Sequence, residues 1–116
     1  MMIRERAQPV YVISIAAGLV EMHPQTLRLY ERLGLIHPAR TANNIRLYSD
    51  EDIERLRQIQ RLTQVGVNLA GVEMVLELLE RMQAMRRELE EEMHKQQEEM
   101  LREIARLRVR ASAGGR

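Results

Sequence analysis

The sequence predicts a mainly α-helical fold: a winged helix-turn-helix domain with a small two-stranded wing, followed by a long dimerising coiled-coil helix. Three observations predict it. Aromatic residues are only 3% of the composition, with no Phe and no Trp. Such a core must be built from Leu, Ile, Val, Met and Ala, which suits helices better than an all-strand sandwich. Two short apolar-periodic segments meet at His23-Pro24, and proline is welcome at the first turn of a helix but disfavoured inside one. Beyond them, residues 81–110 hold no Gly or Pro and are dominated by Ala, Glu, Gln, Leu, Met and Arg.

The elements follow in order. Val10-Tyr11-Val12-Ile13 is β-branched and aromatic, and reads as a short strand or extended lead-in. Ser14 is placed to cap a helix over residues 15–21, with Ile15, Ala16, Leu19 and Val20 on its apolar side. Pro24 opens a second helix that runs to Leu33, where Gly34 supplies a left-handed stop. Leu27, Tyr30 and Leu33 then face the first helix, while Gln25, Arg28, Leu29 and Arg32 share the opposite face. The alternating Ile45-Arg46-Leu47-Tyr48 and the Asn43-Asn44 pair give the wing, with the asparagines at its tip.

Ser49-Asp50-Glu51-Asp52 is a helix start, a serine cap followed by acids in the positively polarised first turn. That helix carries Ile53, Leu56, Ile59 and Leu62 and ends at Gly66. Asn68 caps the next, which shows Leu69, Val72, Val75, Leu76 and Leu79. In the Gly- and Pro-free stretch Leu89, Met93, Met100, Ile104 and Leu107 fall at a/d-like spacings. So narrow an apolar stripe gains little burial alone and calls for a partner helix. The expected organisation is a winged helix-turn-helix over residues 9–80, an antiparallel coiled-coil helix over 81–110 and a flexible tail over 111–116.

Charge distribution points toward nucleic acid. The net charge is only +1, and 17 of the 18 basic residues are Arg. Arg28, Arg32, Arg40 and Arg46 fall between Pro24 and Tyr48 with Glu31 as the one acid there, while the 88–103 segment is glutamate-rich. Guanidinium forks suit phosphate and guanine. Gln25, Thr26 and Arg28 near the start of the second helix have the donors and acceptors to read base edges in a major groove. Arg32, Arg40 and Arg46 are candidate phosphate contacts.

Other functions find little support. The absence of cysteine removes disulfides, thiolate catalysis and most transition-metal sensing. His23, His37 and His94 have no ligand spacing, and His23 reads as a helix cap. No P-loop or nucleophile elbow is present, so neither an enzyme, a metal nor a cofactor is expected. Residues 1–8 lack the apolar stretch of a signal peptide, and no run spans a bilayer, so a cytoplasmic, nucleoid-associated protein is expected. The alternative from another class is a protein-interaction adaptor working through its long helix.

Several spaced motifs resemble the MerR family of transcription regulators. They are Ile15-Ala16-Ala17, the run from His23 to Ile36, the wing residues Arg40, Arg46 and Tyr48, then Ser49 to Ile53 and Gly66 to Val72. The resemblance covers residues 9–80. Within the family the chain looks most like the heat-shock repressor branch, with the nitrogen-control branch next. It implies a homodimer on an inverted-repeat operator, repression of chaperone genes, and the chaperone DnaK as a co-repressor. It adds Tyr30, Tyr48 and Asn43 as contacts to the duplex, the tyrosines through their hydroxyls. Three departures stand out: Leu29-Tyr30 replaces a tyrosine pair, Asn43-Asn44-Ile45 replaces a glycine-containing tip, and no cysteines or ligand domain follow for sensing.

Overall fold

The computed structural model describes residues 5–114. The first four residues and the end of the expected tail, residues 115 and 116, lie outside the described part. Strand β1 spans Pro9–Tyr11, helix α1 Ile13–Val20 and helix α2 Pro24–Arg32. Strands β2 (Ala39–Arg40) and β3 (Arg46–Ser49) form the wing, and helices α3 (Asp50–Gln64) and α4 (Leu69–Gly114) follow. The chain divides into two compact units, the first ending at Glu73 and the second beginning at Met74.

The wing is larger than expected. β2 and β3 pair antiparallel with Arg40 opposite Arg46, and β1 adds to the other edge of β3, giving a three-stranded sheet in the order β1-β3-β2. Tyr11 fixes this addition by donating its hydroxyl to Asp50 Oδ1 at 2.7 Å, at the first turn of α3. The tip turns on Asn44 alone, whose φ of 63° is left-handed. Asn tolerates that region better than other side chains. Thr41 closes the loop, its carbonyl accepting from Asn44 N–H at 2.9 Å and its hydroxyl from Ile45 N–H at 3.1 Å.

Helix α1 begins earlier than the serine implied. Val12 is extended and its carbonyl takes the first helical N–H groups, from Ile15 and Ala16, so Ser14 lies inside the helix and does not cap it. The buried residues of α1 are Ala16, Ala17 and Val20, while Ile15 and Leu19 are 53% and 43% exposed. A helix apolar on nearly every side leaves periodicity unable to choose the inward face. Leu33 is likewise exposed, because α2 stops at Arg32 and the chain turns away.

Helices α1, α2 and α3 end alike. Each places one left-handed residue after its last turn and sends the following N–H back five residues: Met22 to Ala17, Leu35 to Tyr30 and Val67 to Leu62, at 2.9–3.0 Å. This Schellman closure satisfies otherwise orphaned carbonyls. Gly34 and Gly66 occupy the left-handed position in two cases, and Glu21, with φ 55°, in the third.

The starts of α3 and α4 are capped by side chains as the sequence implied. Ser49 and Asp52 form a reciprocal capping box, Asp52 N–H on Ser49 Oγ at 3.1 Å and Ser49 N–H on Asp52 Oδ2 at 2.8 Å. Asn68 Oδ1 accepts from Gly71 N–H at 2.8 Å at the start of α4. The core of the first unit is Ala16, Ala17, Val20, Leu27, Tyr30, Leu35, Ile36, Tyr48, Ile53, Leu56, Ile59 and Val72. Polar stitches bind its elements: Arg55 Nε donates to Leu35 O, and Gln60 Nε2 to Val20 O at 3.1 Å.

The fourth helix and the expected coiled-coil helix are one element. With no Gly or Pro between Val72 and Ala113 nothing stops it, and it continues through 111–114, the first residues of the expected tail. In the second unit Leu89, Met93, Met100, Ile104 and Leu107 are between 41% and 65% exposed. Side-chain pairs also run along the helix surface, Arg86 with Glu90 and His94 with Glu98. No helix of the described chain is long and apolar enough to cross a membrane.

Candidate nucleic-acid interface

Helix α2 is presented by its own ends. His23 Nδ1 accepts from Gln25 N–H at 3.1 Å, so the residue before Pro24 is the cap. Leu27 and Tyr30, on the inward stripe, anchor the helix to the core, with Leu27 wholly buried. Gln25, Leu29 and Arg32 are exposed, and Thr26 and Arg28 half-buried at the rim. Gln25, Arg28, Leu29 and Arg32 thus form an outward face, as the spacing implied. Among the described residues Arg28 and Arg32 form no ion pair.

The wing arginines stand differently. Arg46 Nε donates to Glu31 Oε1 at 2.8 Å, and Arg40 Nη2 donates to the same oxygen at 3.0 Å. Arg40 also reaches the wing tip, Nη1 donating to the Asn44 backbone carbonyl at 3.2 Å. Glu31 therefore joins α2 to both wing strands, a role that sequence reasoning missed. The available signal was its position as the one acid between Pro24 and Tyr48. Asn43 lies exposed beside the tip.

The tyrosines are placed inward. Tyr30 is 8% exposed, and Tyr48 is fully buried, hydroxyl included. Tyr30 packs toward the first helix as its spacing implied, but the surface does not present Tyr48 Oη for the phosphate contact that the resemblance implied. A tyrosine at an inward position of β3, between Leu47 and the capping residue Ser49, has its ring drawn into the core. Its hydroxyl finds no hydrogen-bond partner among the described residues.

Burial pushes the Tyr48 hydroxyl above its ordinary pKa of 10.0, with Glu31 adding in the same direction and Arg46 and Arg28 opposing. Burial raises Tyr30 as well. A group raised in the folded state stabilises it at pH below the unfolded value. That contribution fades as pH climbs past about 10, where the unfolded tyrosine ionises first. Tyr48→Phe keeps the ring and removes an unsatisfied polar atom, whose burial costs about 1–3 kcal/mol. Its melting temperature at neutral pH is expected to equal or exceed that of the unaltered chain, with a smaller alkaline loss above pH 10. A clear drop in Tm at pH 7 would show that the hydroxyl has a partner.

Two helices joined by a tight left-handed turn, with a basic hairpin beside the second, define a winged helix-turn-helix. The family model described as "MerR HTH family regulatory protein" matches residues 11–79. The chain belongs to the MerR family of helix-turn-helix regulatory proteins. It is 61% identical over 71 residues to a Streptomyces coelicolor protein described as heat shock protein HspR, covering 60% of this chain and 47% of that one. It is 37% identical over 71 residues to the regulator GlnR of Bacillus anthracis, covering 61% of this chain and 55% of that one. The chain thus spans about half the length of these curated relatives. Its fold is similar to that of HiNmlR, a MerR family regulator lacking the sensor domain, solved bound to promoter DNA. The TM-score is 0.59 at 23% identity, over 88% of this chain and 78% of that one. Among the described residues no group of three or more His, Asp or Glu side chains could hold a metal ion.

Proposed function

We propose that the chain is a sequence-specific DNA-binding transcriptional regulator, a homodimer on an inverted-repeat operator and a repressor of heat-shock genes. The observation that carries this reading is the outward face of α2, where Arg28 and Arg32 stand without an acidic partner among the described residues, beside a wing bearing Arg40 and Arg46. A helix of this kind enters the major groove with its N-terminal residues on base edges, here Gln25, Thr26 and Arg28. The remaining arginines, with Asn43 at the wing tip, meet the flanking backbone.

Homodimerisation is supported by the exposed stripe from Leu89 to Leu107, which a second helix of the same kind would cover. The heat-shock assignment is supported by the higher identity to HspR than to GlnR over matched segments of equal length. On that branch the chaperone DnaK is the proposed co-repressor, and the place of action is the cytoplasm, at the nucleoid. The reading is of a regulator and not an enzyme.

Selection of bound duplexes from a random pool tests this directly. An inverted repeat is the expected product. Binding to it should weaken with salt at a log–log slope of roughly −0.9 per phosphate contact. Arg28→Ala is expected to weaken the selected site by about 1–3 kcal/mol and to relax one base position in each half. Recovery of no common sequence at low ionic strength would refute the reading. Unchanged affinity and preference would remove Arg28 from the base-reading set.

A further inference from the structure

The Glu31 carboxylate stands on the basic face at the one place where it opposes attraction to phosphate. It is not a stray surface acid. Its side chain is 19% exposed, and a single oxygen holds Arg46 at 2.8 Å and Arg40 at 3.0 Å. Arg40 and Arg46 are register partners on neighbouring antiparallel strands, which puts their side chains on one face of the sheet. Both can therefore converge on a carboxylate carried by the neighbouring helix. Through Arg40 the connection continues to the Asn44 carbonyl at the wing tip.

We propose that Glu31 is a positioning residue that locks the wing arginines to the reading helix, lowering affinity for arbitrary DNA while raising discrimination between sequences. The proposal rests on the DNA-reading function given above. Its physical basis has two parts. The carboxylate cancels one of the two guanidinium charges nearest the backbone, and so weakens the sequence-independent attraction that dominates non-specific binding. It also fixes two long side chains that otherwise lose rotamer freedom when they dock, so their cost of ordering is met before DNA arrives.

The arginines keep donors for phosphate in this state. Arg46 uses only Nε toward Glu31, which leaves both of its Nη groups free of that contact. A wing held in register with α2 accepts a duplex whose groove and backbone match the fixed spacing. Once unlatched, the same arginines can follow many backbones. The latch converts two adaptable cations into a rigid gauge.

The test compares the unaltered chain, Glu31→Gln and Glu31→Ala on two duplexes: the inverted repeat recovered by selection, and a shuffled duplex of the same composition. Affinities are measured by fluorescence anisotropy across a salt series, with a melting curve for each protein. Both variants are expected to bind the shuffled duplex more tightly, with a salt slope steeper by roughly one phosphate equivalent. Their ratio of specific to non-specific affinity is expected to fall by about tenfold. A merely structural role would lower both affinities together and leave the slope alone. Glu31→Gln preserves shape, and it decides the matter if Glu31→Ala lowers the melting temperature.

Variants with unchanged ratio and slope, beside an unaltered chain that does discriminate, overturn the role of Glu31 alone. An unaltered chain that prefers neither duplex overturns the DNA-reading function and this proposal with it.

Discussion

Leu89→Glu is expected to convert the proposed dimer to a monomer and to reduce affinity for an inverted repeat by about 10²–10⁴-fold, the range that linked binding heads gain from effective concentration. Leu89 is 61% exposed in the single chain, so a glutamate there removes nothing from the core. The whole penalty falls on the paired state. Burying a leucine at a seam contributes about 1.5–3 kcal/mol, and a charge in its place costs several kcal/mol to desolvate. Light scattering gives the mass, circular dichroism confirms that the helix persists, and anisotropy on whole and half sites separates lost pairing from lost reading. A variant that still scatters as a dimer would place the seam elsewhere on the helix.

Leu27→Ala carries the second large effect, this time on folding. Leu27 is wholly buried under the reading helix, between the exposed Gln25 and the half-buried Arg28. Truncating such a leucine costs about 2–5 kcal/mol from lost transfer and the cavity left behind. For a unit of this size each kcal/mol lowers the melting temperature by about 4–8 °C, so a fall of about 10 °C or more is expected. The adjacent Arg28→Ala should leave the melting temperature within about 2–4 °C, since surface changes lie within about ±0.5 kcal/mol. Scanning calorimetry of the two variants tests the assignment of inner and outer faces. Equal losses would mean that the face of α2 is wrongly assigned.

What the sequence disclosed was whatever a few neighbouring residues decide. His23-Pro24, the Ser49–Asp52 box, Asn68, and Gly34 and Gly66 each fix a helix boundary through contacts only a few residues apart, and each stands where local chemistry put it. The outward face of α2 followed from helical spacing alone. What stayed hidden depends on distant partners. β1 joins β3 across the intervening helix-turn-helix. The inward face of α1 is chosen by what packs on it, since Ile15 and Leu19 are as apolar as Val20.

The same division runs through the candidate interface. Arg28 and Arg32 could be read from their helix. The fate of Arg40 and Arg46 could not, because it turns on Glu31 nine and fifteen positions away. Nor could the submergence of Tyr48, which a sheet widened by β1 helps to enclose. Short-range propensity carries no information about which carboxylate a flexible guanidinium will find.

The closure of α1 differs from its two counterparts in one respect: a glutamate occupies the backbone region where the others place glycine. An L-residue held there costs roughly 1–2 kcal/mol. Among the described residues this chain meets that cost at the junction between α1 and α2 and nowhere else in its helical framework. The bend is thus a reserve of unclaimed robustness, open to a lineage moving into hotter surroundings without altering any group on the outward face of α2.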